Sequence, residues 1–224
     1  MKHLSIIVAA AFLTVLGAQN VYAQSYASID GKSSVEYSNF RVAVQGGWGY
    51  RTAKVDPELT GTAAELVKGL KSGYVLGADA AWYFVKDIGL GATFHEMFAH
   101  HKVSNMTAET GITFAAPQVS TRYVFDRHSL LVNISLGYLS YRLYSYTGAE
   151  YRENGKTLGY GADLCYDYAL TPGISIGVTF GALNGILRKL KVREGWNAYD
   201  VELDEGNYVS LDHISIMAGL RFTL

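Results

Sequence analysis

The stretch Asp212-His-Ile-Ser-Ile-Met-Ala-Gly-Leu-Arg-Phe-Thr-Leu224 decides the fold. Ile214, Ile216, Ala218, Leu220, Phe222 and Leu224 fall on alternate positions, and Ser215, Gly219, Arg221 and Thr223 between them are small or polar. That period of two gives a β-strand one oily face and one polar face. An apolar strand edge left bare invites aggregation, so such a strand must be paired or closed into a barrel. The same alternation recurs in residues 39–51, 74–84, 88–95, 111–125, 130–138, 158–168 and 174–182, which makes eight expected strands.

The strands are joined alternately by short turns and long polar connections. Lys86-Asp87, Asp126-Arg127-His128 and Thr171-Pro172-Gly173 supply the turns, and residues 52–72, 98–110, 141–156 and 184–207 the long connections. Residues 62–70 can hold one or two helical turns. The fourth strand is expected to change register near Ala115-Ala116-Pro117, because proline cannot donate to a ladder. Asp79, Arg122, Asp163, Asp167 and Arg221 sit on the polar faces of their strands, as does Arg41. An arginine at the middle of a bilayer costs about 2–4 kcal/mol, so in a membrane barrel those faces must turn inward. There the three arginines can pair with the three aspartates and plug the lumen. Aromatic residues gather near strand ends, with Trp48, Tyr50, Tyr74 and Tyr138 toward the long connections and Phe40, Trp82, Phe84, Tyr123, Phe125, Tyr166, Tyr168 and Phe222 toward the turns. Two such belts suit the two interfaces of a membrane. A soluble sandwich or lipocalin-like barrel also alternates, but its outer face needs abundant Lys and Glu; here the polar faces are mostly Gly, Ser, Thr and Ala.

Composition narrows the class further. The chain of 224 residues has 24 Gly, 17 Tyr, 3 Pro and a formal net charge of −1, without the basic excess of a nucleic-acid binder. Lys2 and His3 precede an apolar run over residues 4–16, and Val21-Tyr22-Ala23 offers a cleavage site, so residues 1–23 read as a secretory signal peptide. Residues 24–38 read as a short tail and residues 39–224 as the barrel. Cys165 is the one cysteine, so no internal disulfide can form.

On these residues the chain resembles the small outer-membrane β-barrels of Gram-negative bacteria, the OmpA-, OmpX- and OmpW-like, porin-like family. Their last strand alternates in this way and ends in an aromatic residue that the insertion machinery reads; here Phe222 lies two residues short of the end and Leu224 takes the last place. The resemblance implies an all-β fold, an eight-stranded antiparallel up-and-down transmembrane β-barrel. It also implies a monomer in the outer membrane with periplasmic termini, contact with lipid, lipopolysaccharide and the barrel-insertion machinery, and no cofactor.

Chemical motifs are sparse. His95-Glu96-Met97-Phe98-Ala99-His100-His101 approaches a zinc-protease signature, but that motif needs histidines four apart on one helical face. Gly89-x-Gly91 and Gly159-x-Gly161 lack the strand-turn-helix setting of a phosphate loop. His213 and Ser215 share one face of the last strand, as in an outer-membrane deacylase family, yet no acidic residue follows Asp212 to complete the set. No catalytic or metal-binding residue is therefore assigned. Lys189 and Lys191 mirror Glu202 and Asp200 about the Glu194–Asn197 turn, which predicts a protruding hairpin with opposite charges across it. Arg188, Lys189, Lys191 and Arg193 can also meet lipopolysaccharide phosphates. The expected function is a non-enzymatic surface protein that displays loops for envelope integrity or surface interaction. The alternatives are a narrow channel or carrier for small or hydrophobic solutes and a lipid A hydrolase.

Overall fold

The structure, a computed structural model, describes residues 39–53, 60–85, 87–146, 150–195, 197–203 and 208–224. The expected signal peptide (1–23) and tail (24–38) lie outside the described residues. In chain order the strands are β1 (Phe40–Arg51), β2 (Ser72–Val85), β3 (Ile88–Val103), β4 (Met106–Phe125), β5 (His128–Tyr146) and β6 (Glu150–Thr171). Then follow β7 (Ile174–Leu187), β8 (Lys189–Glu194), β9 (Asn197–Glu202), β10 (Val209–Ser210) and β11 (His213–Thr223), and one helix, α1 (Gly61–Gly69), lies between β1 and β2.

β1 to β7 pair antiparallel in chain order, β11 pairs with β7, and β11 pairs again with β1, which closes a ring of eight strands. Its stagger can be walked from partner to partner. Arg41 leads through Ala81, Gly91, Gln118, Ser135, Gly161, Leu183 and His213 to Arg51, ten residues farther along β1 than the start. A stagger of this kind goes with steeply tilted strands and an interior just wide enough for side chains. Phe40 to Tyr50 therefore rises on the order of 25 Å, the height of a barrel's apolar band.

Below the rims the faces sort as the alternation requires. Ile134 and Leu136 are 64% and 62% exposed, whereas Arg221 and Thr179 are 1% exposed inside. Such a band of exposed apolar side chains is stable only in hydrocarbon. Trp48, Tyr50, Tyr74 and Tyr138 mark its upper rim and Phe40, Trp82, Phe84, Tyr123 and Phe125 its lower rim, all exposed. Gly173 and Asp126 turn the chain at the lower end, where Leu224 N also donates to Phe40 O at 2.8 Å.

Above the upper rim the two faces exchange character. On β4 the inward residues Ile112 and Phe114 are apolar and buried while Gln118, Ser120 and Arg122 lower down are polar; the outward series runs the other way, from Glu109 down to Val119 and Tyr123. Outside the bilayer, water takes the outer face, so the oily side turns in. The register change expected near Pro117 does not occur: Ala115 pairs with Tyr138 and Gln118 with Ser135 in one unbroken register, and only the pairings of Ala116 and Pro117 with β5 drop out. Three of the four long connections are likewise shorter than expected. β3 and β4 meet at Ser104–Asn105, β5 and β6 run to Tyr146 and from Glu150, and β7 continues to Leu187. The aqueous ends of these strands carry reversed polarity, which in the sequence reads as polar loop.

The upper wall folds over an apolar interior. Met97, Ile112, Leu139, Tyr141, Leu187, Leu190, Val192, Leu211 and Met217 form one cluster, and Leu66 and Leu70 of the α1 segment pack on Ala99 and Ala108 as a second. Helix α1, where helical turns were expected, lies on the inner side of β3 and β4 near the mouth.

Candidate functional site

The lower lumen holds a layer of charge assembled from four strands. Arg41 of β1 reaches Asp79 of β2 at 2.6 Å and donates to Asp167 of β6 through Nε at 3.0 Å and Nη2 at 2.9 Å. Arg221 of β11 places its Nε 2.9 Å from Asp167 Oδ1, an ion pair bent away from hydrogen-bond geometry. Its Nη2 donates to Gln45 Oε1 and to Thr179 Oγ1, each at 2.9 Å, and Thr179 in turn donates to Gln45 at 2.7 Å. Two guanidinium groups thus meet two carboxylates away from water. Such pairs add little net stability but are costly to break singly.

Arg122 and Asp163 complete the expected set, and Asp163 does not reach Arg41. Arg122 lies with its guanidinium 3.9 Å over the Tyr83 ring, whose hydroxyl hydrogen-bonds Ser120 at 2.8 Å. Asp163 stands above the arginine layer, with His95 Nε2 4.0 Å from its Oδ2. The reason is height: Asp163 lies four residues from Asp167 on the same face of β6, which lifts it out of reach of Arg41.

Around Asp163 the structure gathers His95, His213, Ser215, Ser135 and Phe114 into a narrow cleft with no room for a water molecule. Thr93 Oγ1 lies 3.1 Å from His95 Nε2, and His213 Nδ1 lies 3.1 Å from Leu211 O. The acid absent downstream of Ser215 is thus supplied to the cleft by another strand. The side chains nonetheless point into a packed interior, as the inward parity of His213 and Ser215 requires, and away from any lipid on the outer wall.

Outside, the predicted hairpin is present. β8 and β9 pair with Lys189 opposite Glu202, Lys191 opposite Asp200 and Glu194 opposite Asn197. Lys189 and Glu202 form an ion pair that raises the lysine pKa and lowers that of the carboxyl, through their hydrogen bond first and their charges second. Arg188 lies over the Tyr208 ring, 5.4 Å from its centroid. Phe222 pairs with Val42 and Ile174, and Leu224 with Phe40, at the lower rim. Sequence reasoning missed Arg142, Arg152 and Lys156, which the extended β5 and β6 place on the outer wall, Arg152 opposite Arg193 of β8 and Arg142 opposite Asn154. Arg142 holds the buried Glu96 at 2.7 Å. Their even positions, in phase with Leu158 and Tyr160, were the signal that could have found the β6 pair.

No family model and no curated protein matches the sequence. Solved structures do. A crystal structure of Neisserial surface protein A covers 84% of this chain and 99% of its own, at 12% identity and a TM-score of 0.51. A major outer membrane protein of Thermus thermophilus gives 83% and 99%, 9% identity and 0.55. The outer membrane protein OprG of Pseudomonas aeruginosa gives 85% and 99%, 9% identity and 0.51. With its closed ring, lipid-compatible belt and packed lumen, the chain has the fold of the small, eight-stranded outer-membrane β-barrels.

Proposed function

We propose that this chain is a non-enzymatic outer-membrane barrel that serves as a rigid pedestal, holding the β3–β4, β5–β6 and β8–β9 hairpins outside the cell for envelope integrity or surface contact. The observation that carries this reading is the closed interior. The Arg41–Asp79–Asp167–Arg221 layer fills the lower lumen, the apolar cluster fills the upper part, and the side chains between them are buried. A conducting pore needs a continuous water path, whereas a packed lumen favours rigidity. The short turns lie at the same end as Phe40 and Leu224, which supports periplasmic termini because barrels of this type keep short turns on that side.

Planar-bilayer recording tests the reading: the wild-type barrel gives no stepwise current, and a steady open level overturns it. Orientation is tested separately with Asn197→Cys in a Cys165→Ser background. A membrane-impermeant maleimide labels it on intact cells if β9 is outside. A carrier for apolar solutes is the second reading, favoured by Met97, Ile112, Leu139 and Met217 lining the upper interior. It requires solute uptake by cells that is abolished by deleting the gene. The hydrolase alternative requires lipid A deacylation that Ser215→Ala removes.

A further inference from the structure

Above the arginine layer two imidazoles share one carboxylate. His95 Nε2 lies 4.0 Å from Asp163 Oδ2, and His213 enters the same cleft from β11. His213 Nδ1 lies 3.1 Å from Leu211 O. A carbonyl only accepts, so Nδ1 carries the hydrogen and Nε2 is left to take a proton. The His213 ring is 4% exposed and Leu211 is fully buried.

Leu211 belongs to a clasp that ties the chain returning from β9 into the rim of the barrel. Val209 and Ser210 pair with Leu187 and Ile186 of β7. Leu211 N donates to Gly185 O at 2.8 Å, and Gly185 N donates to Asp212 Oδ1 at 3.0 Å. On the other side Arg51 Nη2 donates to Ser210 O at 3.0 Å and Thr52 N to Asp212 O at 2.9 Å. The His213 ring braces this clasp from inside the lumen.

Charge around the ring is unevenly supplied. Arg51 of β1 and His95 of β3 both face it, and the carboxylate next to it in the chain, Asp212, is engaged by Gly185. Asp163 of β6 stands by His95, on which Asp79 of β2 also acts. β4, β5 and β7 present Phe114, Ser135 and Leu183, which do not titrate. A proton on His213 thus meets two cationic neighbours and no free carboxylate, and an ion held away from water is costly.

We propose that His213 is an acid-sensitive catch: proton uptake at its Nε2 opens the 209–212 clasp and frees the foot of the β8–β9 hairpin. This deepens, and rests on, the reading of the barrel as a pedestal for that hairpin. The arginine layer closes the way down with charge of the same sign, so the imidazolium reaches water by parting Leu211 from Gly185. Histidine ordinarily titrates between about pH 5 and about pH 8, which sets the working range.

The test compares the isotope-labelled full barrel in zwitterionic detergent across that range. Amide protection is read at Gly185 and Leu211, whose N–H groups belong to the clasp, and at Gly219, lower on β11. Protection at the first two is expected to fall at least about ten-fold in acid, and more than at Gly219. In wild type the midpoint of this fall must coincide with that of the His213 ring nitrogen signals, a comparison that needs no variant. His213→Asn, whose amide nitrogen takes the place of Nδ1, keeps a donor to Leu211 O and should abolish the fall. Asp212→Asn, which retains an acceptor for Gly185 N, and His95→Gln should each keep it. An unchanged fall in His213→Asn, its loss in Asp212→Asn or His95→Gln, separate midpoints, or a ring that stays neutral down to about pH 5 overturns the proposal. A stepwise current from the wild-type barrel would overturn the pedestal reading and leave the clasp result standing.

Discussion

Asp167 serves two arginines at once, with Arg41 and Arg221 each within 2.9 Å. Its removal leaves Arg41 with Asp79 alone and buries Arg221 with only the neutral Gln45 and Thr179 for partners, so Asp167→Ala is expected to cost about 3–5 kcal/mol. Asp79→Ala, which deprives Arg41 alone, should cost less. Urea titration of the barrel in lipid vesicles measures both. Gly177 supports the same layer from the neighbouring strand: a Cβ there would lie 2.2 Å from Asp167 Oδ1 and 2.5 Å from Tyr166 O. Gly177→Ala should therefore disturb the ion pairs, while Gly46→Ala, whose Cβ would meet nothing nearer than Leu76 Cδ2 at 3.4 Å, should be tolerated. The inward direction of Arg41, Asp79, Asp167 and Arg221 was legible from parity along single strands. Which arginine meets which aspartate was not, because Arg41 and Asp167 are 126 residues apart and their equal height depends on the stagger of the whole ring.

At the scale of the hairpin, the Lys189–Glu202 pair sets a pH window. Glu202 has its pKa lowered by the lysine, so its contribution is complete above the ordinary carboxylate value of 4.5 and fades as pH falls through the lowered one. Lys189 has its pKa raised, so its contribution is complete below the ordinary 10.5 and fades as pH climbs through the raised one. The difference in β9 amide protection between wild type and Glu202→Gln should be constant between those limits, vanish in acid and shrink in high salt, because both groups are exposed. This hairpin could be read from sequence because Lys189, Lys191, Asp200 and Glu202 carry their pattern in charge. The upper ends of β3, β4, β5 and β6 could not, since a search for oily outer faces stops where Glu109, Arg142 and Asn154 take the outer positions. Pro117 misled for another reason: a residue that cannot donate to the ladder suggests a slip, but β4 gives up only the pairings of Ala116 and Pro117 with β5 and keeps its register on either side.

For the whole molecule the decisive variable is height on the wall. Ile134 sits on the outer face midway up the apolar band of β5, between Leu130 and Tyr138. Ile134→Arg should cost about 2–4 kcal/mol in vesicles, whereas Ser140→Arg, above the upper rim, should cost almost nothing. Urea titration of the two variants side by side checks this, and equal costs would count against a membrane at that level. The exchange of faces on β4, β5 and β6 also bears on how the protein reaches its place. Arg142, Arg152, Lys156, Lys191 and Arg193 stand on the outer wall at the hairpin end, and with the termini periplasmic, as proposed, each must in transit pass the zone where an unpaired cation is least welcome. Spontaneous entry into synthetic membranes should consequently slow as acyl chains lengthen, and neutralising these five side chains should restore much of the lost speed. A catalyst that thins or parts the lipid would spare the hairpins that crossing.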